Sequence, residues 1–293
     1  MVAKIVKAAF PGHTVVRPAA WRSPYIFACP HAGRDYPERF LDDSILHLPD
    51  LRRSEDAYVD ELLSDVNSLG VPVLTARFPR VFVDVNRHER EIDPQMFTTS
   101  PSEGAEIKSN RVMAGFGVIP RLAAEGRPIY AKRLPASEAH QRLRWCYRPY
   151  HEALQALIEE CRTRFGVAFV IDWHSMPSAS VGGGQNLPNV VLGDRYGMSC
   201  GPTMVNAWQQ ALADEGLTVS RNAPYAGGHV TSLYGQPAAS VHVLQIELNR
   251  SLYMHEAQVR PRPARFDTLR DRLKSAAVKV IDAASPLEQS AAE

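Results

Sequence analysis

Phe169-Val170-Ile171-Asp172-Trp173-His174 is an apolar run that stops in an acid and a histidine. Far upstream, Tyr25-Ile26-Phe27-Ala28-Cys29-Pro30-His31-Ala32-Gly33 follows the same plan. Runs this continuous, at 25–29, 167–171 and 243–248, lack the alternation of a strand wetted on one face, so each reads as a strand covered on both. In open α/β sheets, ligands and catalytic groups gather outside the carboxyl ends of the strands. Two histidines at matching strand ends therefore suggest one shared metal, with carboxylates completing the site. The plainer alternative is that each caps its strand as a core histidine.

Helical patterns separate these runs. The residue pattern predicts a helix over 54–69, N-capped by Ser54 and ended by Gly70, and a longer one over 137–164, capped by Ser137, stopped near Gly166 and kinked at Pro149. Short strands are expected at 72–76, 81–85 and 189–193, with an extended piece at 217–220. Further helices are expected at 202–214 and 263–283. Strands alternating with helices imply a three-layer α/β/α arrangement. The expectation is a single domain over 1–293, with its core at about 24–283 and a flexible tail at 284–293. Residues 92–135 are rich in Pro, Gly and Ser and long for a connection, as active-site lids often are.

Composition narrows the classes. The 293 residues are 45% hydrophobic and 22% charged, with a net charge of +1. That balance gives no reason to expect a nucleic-acid or membrane-surface protein. No stretch approaches the roughly 20 apolar residues of a membrane span. The N-terminus lacks a convincing signal peptide. Cys29, Cys146, Cys161 and Cys200 are scattered without a C-x-x-C pair, which disfavours cysteine ligation of zinc and a disulfide framework. A cytoplasmic enzyme fits best, as a monomer or small homo-oligomer.

Zinc hydrolases commonly use three protein ligands and leave a position for water. His31 and His174 supply two. The third is expected among the acids at 54–56, with Asp56 preferred and Glu55 as its rival, although both would also complement a helix N-terminus. Arg80-Val81-Phe82-Val83-Asp84-Val85-Asn86-Arg87 places arginines at both ends of an apolar piece. Guanidinium forks grip carboxylates, so Arg87 is a natural anchor for an anionic substrate, unless it merely pairs with Asp84 or Glu89. Glu247 interrupts Leu244-Gln245-Ile246-Glu247-Leu248-Asn249-Arg250. Burial would lift such a carboxylate towards the range of a general base, whereas an ion pair with Arg250 would make it structural.

Three other matches carry less. His151-Glu152-Ala153-Leu154-Gln155 lacks the second histidine of HExxH. Gly182-Gly183-Gly184 lacks the Lys-Ser/Thr of a phosphate loop and reads as a flexible loop. Gly197-Met198-Ser199-Cys200-Gly201 fits GxSxG, and Asp214 and His229 follow in the order of a triad. A serine hydrolase centred on Ser199 leaves the strand-end histidines unexplained.

Taken in order, the chain resembles the N-formylglutamate amidohydrolase family over roughly 24–255. The matching residues are Pro30-His31-Ala32-Gly33, Glu55-Asp56-Ala57-Tyr58-Val59-Asp60, Arg80 through Arg87, Asp172-Trp173-His174-Ser175-Met176, Val191-Leu192-Gly193-Asp194, Ala226-Gly227-Gly228 and Gln245 through Arg250. That family looks distantly related to zinc carboxypeptidases and aspartoacylases, which implies a mixed, mostly parallel sheet of about eight strands. The resemblance also implies roles. His31, Asp56 and His174 would bind one zinc ion, and Glu247 would serve as base. Arg80 would polarise the scissile carbonyl, while Asn86, Arg87, Gly228 and Thr231 would meet the substrate. Two departures are visible. His31 and Asp56 are far apart in sequence, unlike the neighbouring ligands of carboxypeptidases. Many family members also carry a Thr-Arg pair after the two glycines, where this chain has Thr231-Ser232. The expected activity is zinc-dependent hydrolysis of a small anionic N-acyl amino acid, N-formyl-L-glutamate first. A different acyl group and a non-catalytic binding role are the alternatives.

Overall fold

The computed structural model describes residues 4–6, 12–101, 108–181 and 188–284. Seven strands form one sheet: β1 (His13–Val16), β2 (Tyr25–Cys29), β3 (Val73–Ala76), β4 (Ala168–Met176), β5 (Val190–Gly193), β6 (Val219–Arg221) and β7 (Val241–Asn249). Their order is β1-β3-β2-β4-β7-β5-β6. The pairs β3/β2, β2/β4, β4/β7 and β5/β6 are parallel, while β1/β3 and β7/β5 are antiparallel. The sheet is thus mixed and mostly parallel, as expected, with seven strands where about eight were expected.

Side-chain alternation explains why the runs look continuous. On β4, Ile171 and Trp173 face one side, where they join Tyr25, Phe27, Leu244 and Ile246 beneath α2 (Pro202–Asp214) and α4 (Pro263–Ala284). Trp173 meets Trp208 edge-on at 5.6 Å. On the other side, Val170 and Val243 join Ile26 against Tyr150, Leu154, Leu157 and Cys161 of α1 (Arg148–Phe165). Each large apolar side chain buried this way contributes about 1.5–3 kcal/mol. The two faces differ only at the carboxyl end. There the second face changes from Val170 to Asp172 and His174, and from Val243 to Gln245 and Glu247, all buried. Polar groups so placed cost free energy unless partnered.

Three expected elements differ. The helix over 54–69 is broken: Tyr58 adopts a left-handed φ of 66°, leaving one helical turn at Val59–Leu62 and a 3-10 turn at Val66–Leu69. The Asp56 amide donates to the His31 carbonyl at 3.0 Å, which ties this segment to the end of β2. The expected strand 81–85 is a series of turns. Its amides go elsewhere, Phe82 to the Pro79 carbonyl at 2.9 Å and Asp84 to that of Val118 at 2.8 Å. Val81, Val83 and Val85 are buried from a loop, which imitates a strand's alternation. The long helix starts at Ala136 after a Pro135 cap, and a π-type turn at Leu143–Tyr147 precedes α1. Pro149 then lies in the first turn of α1, where a proline is tolerated. Residues 182–184 and 285–293 lie outside the described residues, as do 102–107 of the lid-like segment. Among the described residues no helix is long and apolar enough to cross a membrane.

Candidate metal centre and substrate cavity

Strands β2 and β4 are neighbours, so their carboxyl ends bring His31 and His174 together, with ring centroids 4.8 Å apart. His174 lies inside β4, because the strand continues through the polar residues to Met176. His31 Nε2 donates to Asp84 Oδ1 at 2.8 Å, and its Nδ1, buried without a hydrogen bond, lies 3.4 Å from Asp56 Oδ2. His174 repeats the arrangement: Nε2 is 2.9 Å from Asp172 Oδ2 and Nδ1 is 3.0 Å from Asp56 Oδ2. One ligand atom from each of His31, Asp56 and His174 lies within 4.8 Å of the others.

This geometry fits a divalent cation. The far nitrogen of each imidazole is held by an aspartate while the near one turns inward, as outer partners arrange metal-binding histidines. An orphaned buried Nδ1 is an acceptor awaiting a partner, and a two-nitrogen, one-oxygen donor set suits zinc. Charge points the same way. Burial opposes ionisation of Asp56, yet His174, His31 and Arg80 hold its carboxyl well below the usual range. Burial likewise disfavours a charged His174, but Asp172, Asp56 and Glu247 raise it well above an ordinary imidazole. Glu55 is turned away from this cluster. It accepts from Tyr36 Oη at 2.8 Å and from Arg52 Nε at 3.1 Å.

Glu247 stands beside His174 because β4 and β7 pair in parallel, with Asp172 opposite Gln245 and His174 opposite Glu247. Burial is the main cause that pushes Glu247 up to about 7, with nearby Asp56 adding to it. Gln245 Nε2 donates to Glu247 Oε1 at 2.9 Å. Arg250 turns to Asp56 Oδ1 at 3.0 Å and to Ser175 Oγ at 3.1 Å.

A cavity of about 630 Å³ opens over these groups, with His31, His174, Gln245 and Glu247 in its lining. Arg80 enters from the 80–87 loop, donating to Asp84 Oδ2 at 2.8 Å and lying 3.8 Å from Asp56. Arg87 donates to the carbonyls of Phe116 at 3.0 Å and Asn86 at 2.7 Å, and Asp84 is 3.8 Å away. Asn86 Nδ2 is 3.4 Å from His174 Nε2, and its Oδ1 accepts from the Val230 amide at 2.9 Å. Gly228 precedes α3 (His229–Tyr234) and packs so closely on Asn86 that a Cβ would collide with it. The lid-like segment supplies a wall through Arg111, Phe116 and Leu122.

Two expectations are placed elsewhere. Thr231 is fully buried, donates to the Gly228 carbonyl at 2.8 Å and is not in the cavity lining, so it supports the glycine turn from behind. Ser199 is also fully buried, donating to the Val243 carbonyl at 2.9 Å, away from the cavity. A nucleophile elbow exposes its serine, so the Ser199 reading is overturned. Asp84 and Asp172 as histidine partners, Gln245 beside Glu247, and Arg250 on Asp56 went unassigned in the sequence. Their signal was parity: Asp172 and Gln245 lie two residues before His174 and Glu247, hence on the same face.

Comparison with known proteins identifies the family. The family model for N-formylglutamate amidohydrolase matches residues 23–254. N-formylglutamate deformylase of Pseudomonas putida is 30% identical over 245 residues, covering 81% of this chain and 84% of that protein. The protein of the same name from Pseudomonas aeruginosa is 29% identical over 241 residues, covering 80% and 84%. A crystal structure of N-formylglutamate amidohydrolase from Ralstonia eutropha JMP134 superposes with a TM-score of 0.88 at 32% identity, covering 94% of this chain and 99% of that one. The chain therefore belongs to the N-formylglutamate amidohydrolase family, hydrolases that act on an amide bond.

Proposed function

We propose that this protein hydrolyses N-formyl-L-glutamate to formate and L-glutamate, using one zinc ion held by His31, Asp56 and His174. The observation that carries the reading is the convergence of these three ligand atoms beside the buried Glu247, under an arginine-lined cavity. The names of the relatives supply the substrate. A bound zinc ion supplies Lewis acidity, which makes water a competent nucleophile near neutral pH.

The remaining chemistry belongs to side chains. Glu247, poised near 7 by burial, takes a proton from the attacking water and delivers it to the nitrogen as the C–N bond breaks. Gln245 holds one oxygen of Glu247 and leaves the other for that transfer. Arg80 donates to the formyl oxygen as negative charge develops there. Asn86 and Arg87, backed by the Gly228 turn, hold a substrate carboxylate so that the formyl carbon meets the nucleophile in a fixed orientation.

The test is hydrolysis of N-formyl-L-glutamate by metal-stripped protein titrated with zinc, alongside His174→Ala. Turnover should appear with one equivalent of zinc and be absent in the variant. Turnover that persists in a strong chelator, or absence of turnover at saturating zinc, would overturn the reading.

A further inference from the structure

The cavity holds more positive charge than its own acids use. Arg80 is committed to Asp84 and Arg250 to Asp56, while Arg53 pairs with Glu125. Two guanidinium groups remain. Arg87 touches only carbonyl oxygens at hydrogen-bond distance, with its nearest carboxylate oxygen 3.8 Å away. Arg111 lines the same cavity and has no carboxylate partner among the described residues. The two belong to one wall. Arg87 Nε donates to the Phe116 carbonyl, and the Phe116 amide donates to the Arg111 carbonyl at 2.8 Å. Burial disfavours the charge on Arg87, Asp84 supports it in part, and the positive charge of Arg111 opposes it. Arg87 shares Asp84 with Arg80 and Arg111 has no carboxylate of its own among the described residues, so an anion between the two would offset their mutual repulsion.

We infer that Arg111 is the specificity residue for the side-chain carboxylate of the substrate, while Arg87 takes the carboxylate next to the amide. This rests on the proposed activity and adds to it. Asn86, the chain neighbour of Arg87, stands beside His174, where the carboxylate nearest the scissile bond would lie. Arg111 is exposed, on the turn Asn110–Met113 at the outer wall, where the far end of a glutamyl side chain would reach. The position after Gly228 that carries Thr231-Ser232 offers no guanidinium, and Arg111 lines the same cavity and supplies one. A fork from Arg111 would accept a carboxylate and discriminate against the isosteric amide.

The experiment compares kcat/KM for N-formyl-L-glutamate and its neutral isostere N-formyl-L-glutamine, in the zinc-loaded wild type, Arg111→Met and Arg111→Lys. Arg111→Met should lower the glutamate value about tenfold and change the glutamine value less than about twofold, the size expected for one partly solvated charge-assisted contact. Arg111→Lys should recover part of the loss. Metal content and thermal unfolding should match the wild type in both variants. An equal fall on both substrates, an unchanged glutamate value, or a wild type that does not distinguish the two would overturn the assignment and leave the deformylase reading standing. A wild type that cleaves neither would overturn the deformylase reading, and the assignment with it.

Discussion

Replacing Asp84 by Asn tests whether the three-residue centre depends on its outer support. Asp84 is 3% exposed and serves three donors at once. Oδ1 accepts from His31 Nε2 at 2.8 Å and from the Asn86 amide at 2.9 Å, while Oδ2 accepts from Arg80 at 2.8 Å. Asparagine has only one acceptor oxygen, and its amino group would face either the guanidinium of Arg80 or the N–H of His31. One donor must be abandoned, and the negative charge that steadies both is gone. Removing a partner of this kind typically costs 10–100-fold in metal affinity, about 1.4–2.7 kcal/mol. The assay is competition for zinc against a chromophoric chelator at neutral pH, with thermal unfolding followed in parallel. Glu55→Gln is the control, since Glu55 is bound to Tyr36 and Arg52 and should leave zinc affinity unchanged. Wild-type affinity in Asp84→Asn would refute the reasoning, as would a larger loss in the Glu55 variant.

Glu247→Gln should lower kcat by about 10²–10⁴ while the protein still binds one zinc ion, and near-normal turnover would remove Glu247 as the base. Gly228→Ala should displace Asn86, with a cost of about 1–3 kcal/mol, so substrate affinity and turnover fall while metal content holds; steady-state kinetics with metal analysis checks this. Buried His151 should make the fold acid-sensitive. Its Nε2 donates to the Val85 carbonyl at 3.0 Å, and burial, aided by His229, lowers its pKa from 6.5 to about 4. The unfolded chain therefore binds this proton first, and stability is lost as pH falls from about 6.5 to about 4, by up to about 3 kcal/mol. Urea unfolding at a series of pH values should show a shallower acid loss in His151→Gln, and identical slopes would contradict the assignment.

Much of the frame was legible because it rests on burial on both sides. The runs at 25–29 and 241–248 and the helix at 202–214 are bounded by apolar continuity and by proline or glycine, which act locally. The 54–58 and 80–87 segments were not legible as loops. Ser54-Glu55-Asp56 imitates a helix start, and Val81, Val83 and Val85 imitate a strand. Distant partners decide otherwise, through the bonds from Asp56 to the His31 carbonyl and from Asp84 to that of Val118. The same limit applied to the choice between Glu55 and Asp56. Both are 1% exposed, and only the positions of Tyr36, Arg52 and the two histidines separate them. Thr231 was expected to meet substrate because it stands where many family members carry a Thr-Arg pair, and in the structure its hydroxyl donates to the Gly228 carbonyl.

The pairing of His174 with Glu247 across β4 and β7 has an evolutionary consequence. Parallel neighbours lie about 4.8 Å apart, and a slip of one residue would turn every side chain to the opposite face. The distance between the proposed ligand and the proposed base is therefore set by a ladder of backbone bonds, and single substitutions elsewhere hardly alter it. The cavity walls proposed to meet the rest of the substrate are attached differently, through the 80–87 loop, the 111–122 segment and the turn at Gly228. Loops tolerate insertion and replacement far better than paired strands. Such a lineage can exchange the acyl amino acid it recognises by rebuilding its walls, while the reacting centre is inherited whole.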